Sequence, residues 1–319
     1  MGKRAQIIII SLWVLVIFAM LAISISQRVS LALRLSRYQQ NKLKSMYLAK
    51  AGINLAINEL LKDDKNCDSL PDKWADNAEL FKEITFGGDK DGFASVSYIN
   101  WEGREVFGVI DEESKININK SEQALLEVLL YKTGIANFAE LAENICAWRG
   151  GGGATVDYGD LGYLNKAAKF SNIEEIILVK GITDIREESY DKLKGLITVY
   201  GSGKVNINTA DPQVLEVLIE YSKKKLQDQG NSEHDPGDLL VRIIQARPFL
   251  GTGDFNERIK NQGSPGAGQI NILNELDSLI DFKSSCFSIH SGGKIKNVNS
   301  EIHCIFNREI KKIVYWHES

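Results

Sequence analysis

The chain has 319 residues, 44% hydrophobic and 25% charged, with a formal net charge of -4. That composition excludes a disordered chain and leaves room for one or two domains with their own cores. The mildly acidic balance argues against a protein that binds nucleic acid by neutralising phosphates. From Ile7 to Ile25 the run IIIISLWVLVIFAMLAISI, with Trp13 inside it, carries no charge. A helix of roughly 20 such residues crosses a bilayer core. Lys3 and Arg4 precede this run and Arg28, Arg34 and Arg37 follow it, so the positive-inside count leaves its orientation open. Helical rhythm persists past Arg28, where Met46, Ala49, Ile53, Ala56 and Leu60 form one apolar stripe at spacings of three and four. No proline interrupts residues 6–61, and one rod of that length would reach roughly 80 Å.

Residues 62–92 read as a polar connector, with turns at Gly87 and Gly92 and a short helix near Asp72 to Glu83. From Phe93 the period becomes two, and residues 93–98 and 106–111 are expected to pair as a hairpin around Glu102-Gly103-Arg104. Residues 112–281 are helical in pattern and look like a domain inserted into a surface loop. Inside it an internal repeat stands out. Lys115-Ile-Asn-Ile-Asn119 and Leu125 to Leu129 match Lys204-Val-Asn-Ile-Asn208 and Val214 to Leu218 in spacing, so Asn117 and Asn119 correspond to Asn206 and Asn208. Ser121 and Thr209 are expected to cap the helix that follows, with Pro212 in the first turn of the second copy. Between the copies, Asn172 to Val179, Gly181 and Asp184 to Gly195 have the form helix, turn, helix. This resembles a helix-hairpin-helix element; one glycine in the turn and four flanking glutamates, Glu174, Glu175, Glu187 and Glu188, favour a packing role over a DNA contact.

Residues 282–319 alternate again as three strands, with turns placed at Gly292-Gly293 and Asn307-Arg308. Folding the first pair about residues 294–296 sets Cys286 opposite Cys304, where a disulfide would close; Cys67 and Cys146 are left unassigned. His234, His290, His303 and His317 show no ligand spacing, and no Ser/His/Asp arrangement or phosphate loop is visible. The expectation is a structural protein rather than an enzyme.

A basic leader before an uninterrupted apolar run differs from a secretory signal, because no A-x-A-like site follows the run. MGKRA before QIIIISLWVLV resembles a prepilin leader cleaved between Ala5 and Gln6, making residues 1–5 the leader. Most pilins carry Glu at the fifth mature position, which here is Ile10. With the LWVL run, Ala49 to Ile53, Asp111 to Asn119, Ala147-Trp148-Arg149, IEEIILVKGI at 173–182, LITVYG at 196–201 and VNINTADPQVL at 205–215, the chain resembles the general secretion pathway protein K family, the large minor pseudopilins of type II secretion. These motifs run along nearly the whole chain.

The resemblance implies an α+β, pilin-like fold. A long N-terminal transmembrane helix would pack on an antiparallel sheet contributed by residues 62–111 and 282–319, with a large all-α insert. It implies a single-pass inner-membrane protein with its bulk in the periplasm, processed by prepilin peptidase. Its partners would be other minor pseudopilins in a tip complex and the major pseudopilin, with nucleic acid not expected. The family lacks the fifth-position Glu, as Ile10 does here. It also carries a calcium site beside the Trp motif. In this chain the acids there are replaced by Gly150-Gly151-Gly152, leaving Asp157 and Asp160, whereas calcium wants six to eight oxygens. A minor pilin of a type IV or DNA-uptake machine, or a membrane-anchored helix-hairpin-helix DNA receptor, is the competing reading.

Overall fold

The structure is a computed structural model, and it describes residues 3–63, 66–86, 92–100, 102–151, 156–229, 235–261 and 265–319. The expected turn at Gly87 and His234 lie outside them. Helix α1 spans Lys3–Lys62, 60 residues without a break, or about 90 Å at 1.5 Å per residue. Its apolar half is exposed throughout residues 7–40. The helix is long and apolar enough to cross a membrane, and none of its most apolar window is buried. Its upper half is one wall of a core: Ala49, Ile53, Ala56 and Leu60 are all buried, at spacings of four, three and four. The stripe ends at Ser45, which is fully buried, rather than at Met46, which is half-buried.

After α1 come a short helix α2 (Ala78–Phe81), then strands β1 (Gly92–Val96), β2 (Tyr98–Ile99), β3 (Glu105–Val106) and β4 (Ile110–Asp111). The insert follows as β5 (Ile116–Asn117), α3 (Gln123–Lys132), α4 (Phe138–Trp148), α5 (Glu187–Leu196) and β6 (Ile197–Thr198). It continues through β7 (Val205–Asn206), α6 (Pro212–Asp228), α7 (Leu239–Ala246), α8 (Thr252–Phe255), α9 (Ala267–Leu276) and β8 (Ile280–Asp281). The chain closes with β9 (Cys286–Ile295), β10 (Val298–Asn307) and β11 (Lys312–Glu318).

The main sheet is antiparallel, in the order β1-β9-β10-β11, with β4 also on β9. The expected hairpin of residues 93–98 with 106–111 is therefore only partly formed. Tyr98 and Ile99 pair with Val106 and Glu105 around a turn at Gly103, but β1 and β4 lie end to end along one edge of β9, against residues 291–295 and 287–288. The tip of the β9-β10 hairpin is at Lys296-Asn297, because Ile295 pairs with Val298. Gly292-Gly293 is accordingly not a turn; both glycines lie within β9.

One consequence is that the expected disulfide cannot form. Cys304 faces Ile289 and Cys286 faces Asn307, three residues out of the expected register. An odd slip reverses the face of a strand, so Cys304 joins the core beneath α1 while Cys286 Sγ is approached by Asn307 Nδ2 at 3.3 Å on the other side. Cys146, Cys286 and Cys304 are free thiols.

There are two hydrophobic cores. One lies between α1 and the sheet, with Trp74 edge-on to Phe287 at 5.1 Å. The other fills the insert from Ile116 to Phe282. The insert is built on the repeat: β5 pairs in parallel with β6, and β7 in parallel with β8, so each copy leaves and returns along its own two-stranded ladder. The corresponding helices α3 and α6 pack together, and each contributes a Glu to a Lys of the other, Lys132–Glu216 at 2.7 Å and Lys224–Glu127 at 3.2 Å.

Candidate functional site

Two regions concentrate the residues singled out above: the bare length of α1, and the seam where the insert meets the sheet. On α1, Ile7 (66% exposed), Ile10 (62%), Trp13 (64%) and Ile25 (61%) sit on an apolar cylinder. Ala5 and Gln6 lie in its first turns; their side chains are outside the described residues. Apolar area of this extent left in water would cost about 25 cal/mol per Å², so lipid or neighbouring helices must cover it.

At the seam the two copies of the repeat use their asparagines in the same way, then diverge. In each, the first Asn accepts the backbone N–H two residues on: Asn117 Oδ1 from Asn119 at 2.9 Å, and Asn206 Oδ1 from Asn208 at 3.0 Å. The second Asn clamps a phenylalanine main chain through both amide atoms. Asn119 accepts from Phe170 N at 2.8 Å and donates to Phe170 O at 3.0 Å; Asn208 does the same to Phe249 at 2.8 and 2.9 Å. Asn208→Ala would leave a buried N–H and C=O without partners, each costing about 1–3 kcal/mol. A drop in the thermal midpoint with the sheet core intact in near-UV spectra is the expected outcome.

The divergence is in what the first Asn donates to. Asn117 Nδ2 donates to Tyr200 O at 2.7 Å, within the insert. Asn206 Nδ2 reaches out to Asp68 O (3.1 Å), Asp111 Oδ2 (2.9 Å) and Ser284 Oγ (2.9 Å). Asp111 is the last residue before the insert and Ser284 follows it, so Asn206 joins both crossings. Asp111 Oδ2 also accepts from Thr209 Oγ1 at 2.5 Å and Ser284 Oγ at 2.6 Å. The hydroxyls of Ser121 and Thr209 thus do not cap helices. Ser121 Oγ donates to Asn117 O; Glu122 and Asp211 hold the N-cap positions, and Pro212 opens α6. Beside this network a polar cleft of about 500 Å³ is lined by Glu113, Lys120, Ser202, Lys283, Ser285 and Arg308. Ser285 Oγ donates to Glu113 Oε1 at 2.5 Å.

Burial pushes the Asp111 carboxyl up to about 7, with the Glu113 charge acting in the same direction and the Ser284 and Thr209 hydroxyls opposing it. A raised carboxyl contributes stability below its unfolded value near 3.8 and loses it as pH rises through about 7. On the outer face of the sheet His290 and His303 are register partners, stacked at 3.9 Å, with Ser288 Oγ between their Nε2 atoms. Burial, and then the His303 charge, hold His290 down to about 4, so its contribution runs the other way and is lost as pH falls from 6.5 through 4. The two offset each other between about pH 4 and 7. Asp111→Asn removes the contribution that falls with rising pH, so stability should rise more steeply from pH 4.5 to pH 7 in the variant than in the parent, read from urea midpoints at the two pH values.

Asp157 and Asp160 are not drawn into a ligand set. Asp157 Oδ1 accepts from Gly159 N at 2.8 Å, Asp160 is exposed, and among the described residues neither belongs to a group of three metal-binding side chains. The helix-hairpin-helix region keeps its turn, with Gly181 at φ +89, but its first arm is the 3-10 segment Ile173–Leu178. Asn144 Nδ2 ties the turn to α4 through Lys180 O at 3.0 Å. Sequence reasoning missed Asp68, Asp111, Ser284 and Arg308; the one signal was an acid closing a strand just before the first Asn motif.

No family model and no curated protein matches this sequence. Among solved structures, a chain of the GspK-GspI-GspJ complex from the enterotoxigenic Escherichia coli type 2 secretion system matches over 89% of this chain and 99% of its own length, with a TM-score of 0.60 at 15% identity. The two chains share a fold. That fold is the α+β arrangement expected above, a long helix laid on an antiparallel sheet that carries a helical insert.

Proposed function

We propose that this chain is a minor pseudopilin of type II secretion, a structural subunit that crowns the pseudopilus. The observation that carries this reading is a single 60-residue helix whose lower half is bare and apolar and whose upper half is built into the sheet core. A fold shared with a chain of a secretion complex supports it. The bare half of α1 would anchor the subunit in the inner membrane, with the sheet and insert in the periplasm. It would then pass into a bundle of neighbouring helices, those of other minor pseudopilins and of the major pseudopilin beneath.

Two features suit the first position in a fibre. Ile10 offers no carboxylate to the N-terminus of a subunit already in place, so adding this chain below others gains no ion pair in the apolar bundle. The insert also adds bulk above the sheet, where a stacked neighbour would have to sit. The Ala5–Gln6 bond is the processing site in this reading. N-terminal sequencing of protein from cells holding prepilin peptidase, combined with immunogold labelling of assembled fibres, tests it. A mature chain starting at Gln6 and labels confined to fibre ends are expected; a retained leader, or labels along the shaft, overturns the proposal.

A further inference from the structure

The end of α1 carries a charged cluster that the assembly described above does not use. Asp63 directly follows α1, Asp68 and Asp72 follow on the connector, and one carboxylate oxygen of each lies within 4.8 Å of the others. Asp68 is fully buried. Its Oδ2 accepts from Arg308 Nη2 at 2.6 Å and from Ser284 N at 2.7 Å, while its Oδ1 is buried with no hydrogen-bond partner. Asp72 is held in place by Ser69, whose N–H and hydroxyl donate to its two oxygens at 2.7 and 3.1 Å. The Arg308 guanidinium also reaches Asp63 Oδ2, at 3.5 Å.

Arg308 and the Ser284 N–H satisfy one oxygen of the buried Asp68 carboxylate, and the other oxygen remains an acceptor without a donor beside two further carboxylates. A buried acceptor without a donor costs free energy. Burial raises the Asp68 carboxyl above its usual range and the Asp72 charge adds to that, although Arg308 pulls the other way. A divalent cation held by the three carboxylates answers that need. The donors are all oxygen, which selects a hard ion such as calcium or magnesium over zinc or copper.

We propose that Asp63, Asp68 and Asp72 form a binding site for a hard divalent cation, with Asp68 bridging the ion through Oδ1 and Arg308 through Oδ2. Asp63 and Asp72 are half-buried, so water completes the coordination from the open side. The site is separate from Asp157 and Asp160 and does not depend on the function proposed above. Its position matters because Asp68 also joins the seam, donating its N–H to Phe282 O at 2.9 Å and accepting from Asn206. A bound ion would stiffen the point where the end of α1, the insert and the closing strands converge.

Calcium titration of the full-length protein in detergent, followed by calorimetry, tests this. The expected result is saturable calcium uptake that Asp72→Asn and Asp63→Asn each weaken at least tenfold or reduce by one ion per chain, while Asp157→Asn leaves it unchanged. Both variants alter half-buried side chains, and circular dichroism establishes that they fold. Absence of calcium uptake, as when Asp68 Oδ1 simply holds a proton, overturns the proposal. So does uptake that survives both variants or disappears only with Asp157→Asn.

Discussion

Replacing Arg308 with Ala is expected to lower stability by about 3–5 kcal/mol, the usual cost of stripping one partner from a buried ion pair. The guanidinium side chain is 4% exposed and Asp68 is fully buried, so solvent cannot take over the lost contact. One side chain performs three tasks: Nη2 donates to Asp68 Oδ2 and, at 2.8 Å, to Ser284 O, and the guanidinium plane lies 4.9 Å from the centre of the Phe287 ring. Arg308→Ala leaves the buried Asp68 charge without its counter-ion, held by the Ser284 N–H alone, and removes the Arg308 donor from the Ser284 carbonyl. Arg308→Lys keeps the charge but cannot form the planar fork, and should recover less than half of the loss. The sharper measurement is a double-mutant cycle. Asp68→Asn removes the buried charge that makes Arg308→Ala costly, so the double variant should be more stable than the sum of the single losses predicts. Urea midpoints at neutral pH provide the readout, and additive losses would show that the pair does not hold this seam together.

Some of this was legible in the sequence because the signal was local. Nothing competes with an uncharged run that leads into a stripe at spacings of three and four, and α1 follows it to Lys62. Strands β9 and β10 were visible in their alternation, and the insert in the repeat of its Asn motifs and in the helices that follow them. The failures share a cause of another kind. Asn119 and Asn208 hold the main chain of Phe170 and Phe249, and a backbone partner leaves no mark in the composition of the segment that supplies it. Asp68, Asp111 and Arg308 come from the connector, a strand end and the β10-β11 turn, and only the closed fold brings them to one seam. Ser121 and Thr209 looked like caps because small hydroxyl residues usually are, but here Ser121 donates to the main chain of Asn117 and Thr209 to the Asp111 carboxylate. The paired cysteines failed through a hairpin tip placed too early, and that placement depended on how Gly292-Gly293 was read.

Those two glycines lead to the other large effect. In a strand interior, Gly→Ala ordinarily gains about 0.5–1 kcal/mol, because alanine has less backbone freedom to lose on folding. Gly292 should behave that way, since a Cβ there would meet only Ser95 Oγ, at 3.5 Å, in ordinary contact. Gly293, its neighbour, faces α1. A Cβ on it would run into the Ser45 carbonyl oxygen and lie 2.7 Å from the Ala49 amide nitrogen. Both obstacles are helix backbone, so no side chain can rotate away, and relief requires α1 to move off the sheet. That motion would loosen the packing of Ala49, Ile53 and Ala56 together and separate Ser45 from Ser300, whose hydroxyls are 2.6 Å apart. Gly293→Ala is therefore expected to cost about 3 kcal/mol or more, at the upper end of overpacking penalties, while Gly292→Ala is neutral or slightly stabilising. Gly52→Ala should fall between them, because its Cβ meets the Ser291 hydroxyl, a side-chain atom that can turn aside. Thermal midpoints of the three variants check the order. Equal shifts for Gly292→Ala and Gly293→Ala would mean that α1 does not lie as close to β9 as the core requires.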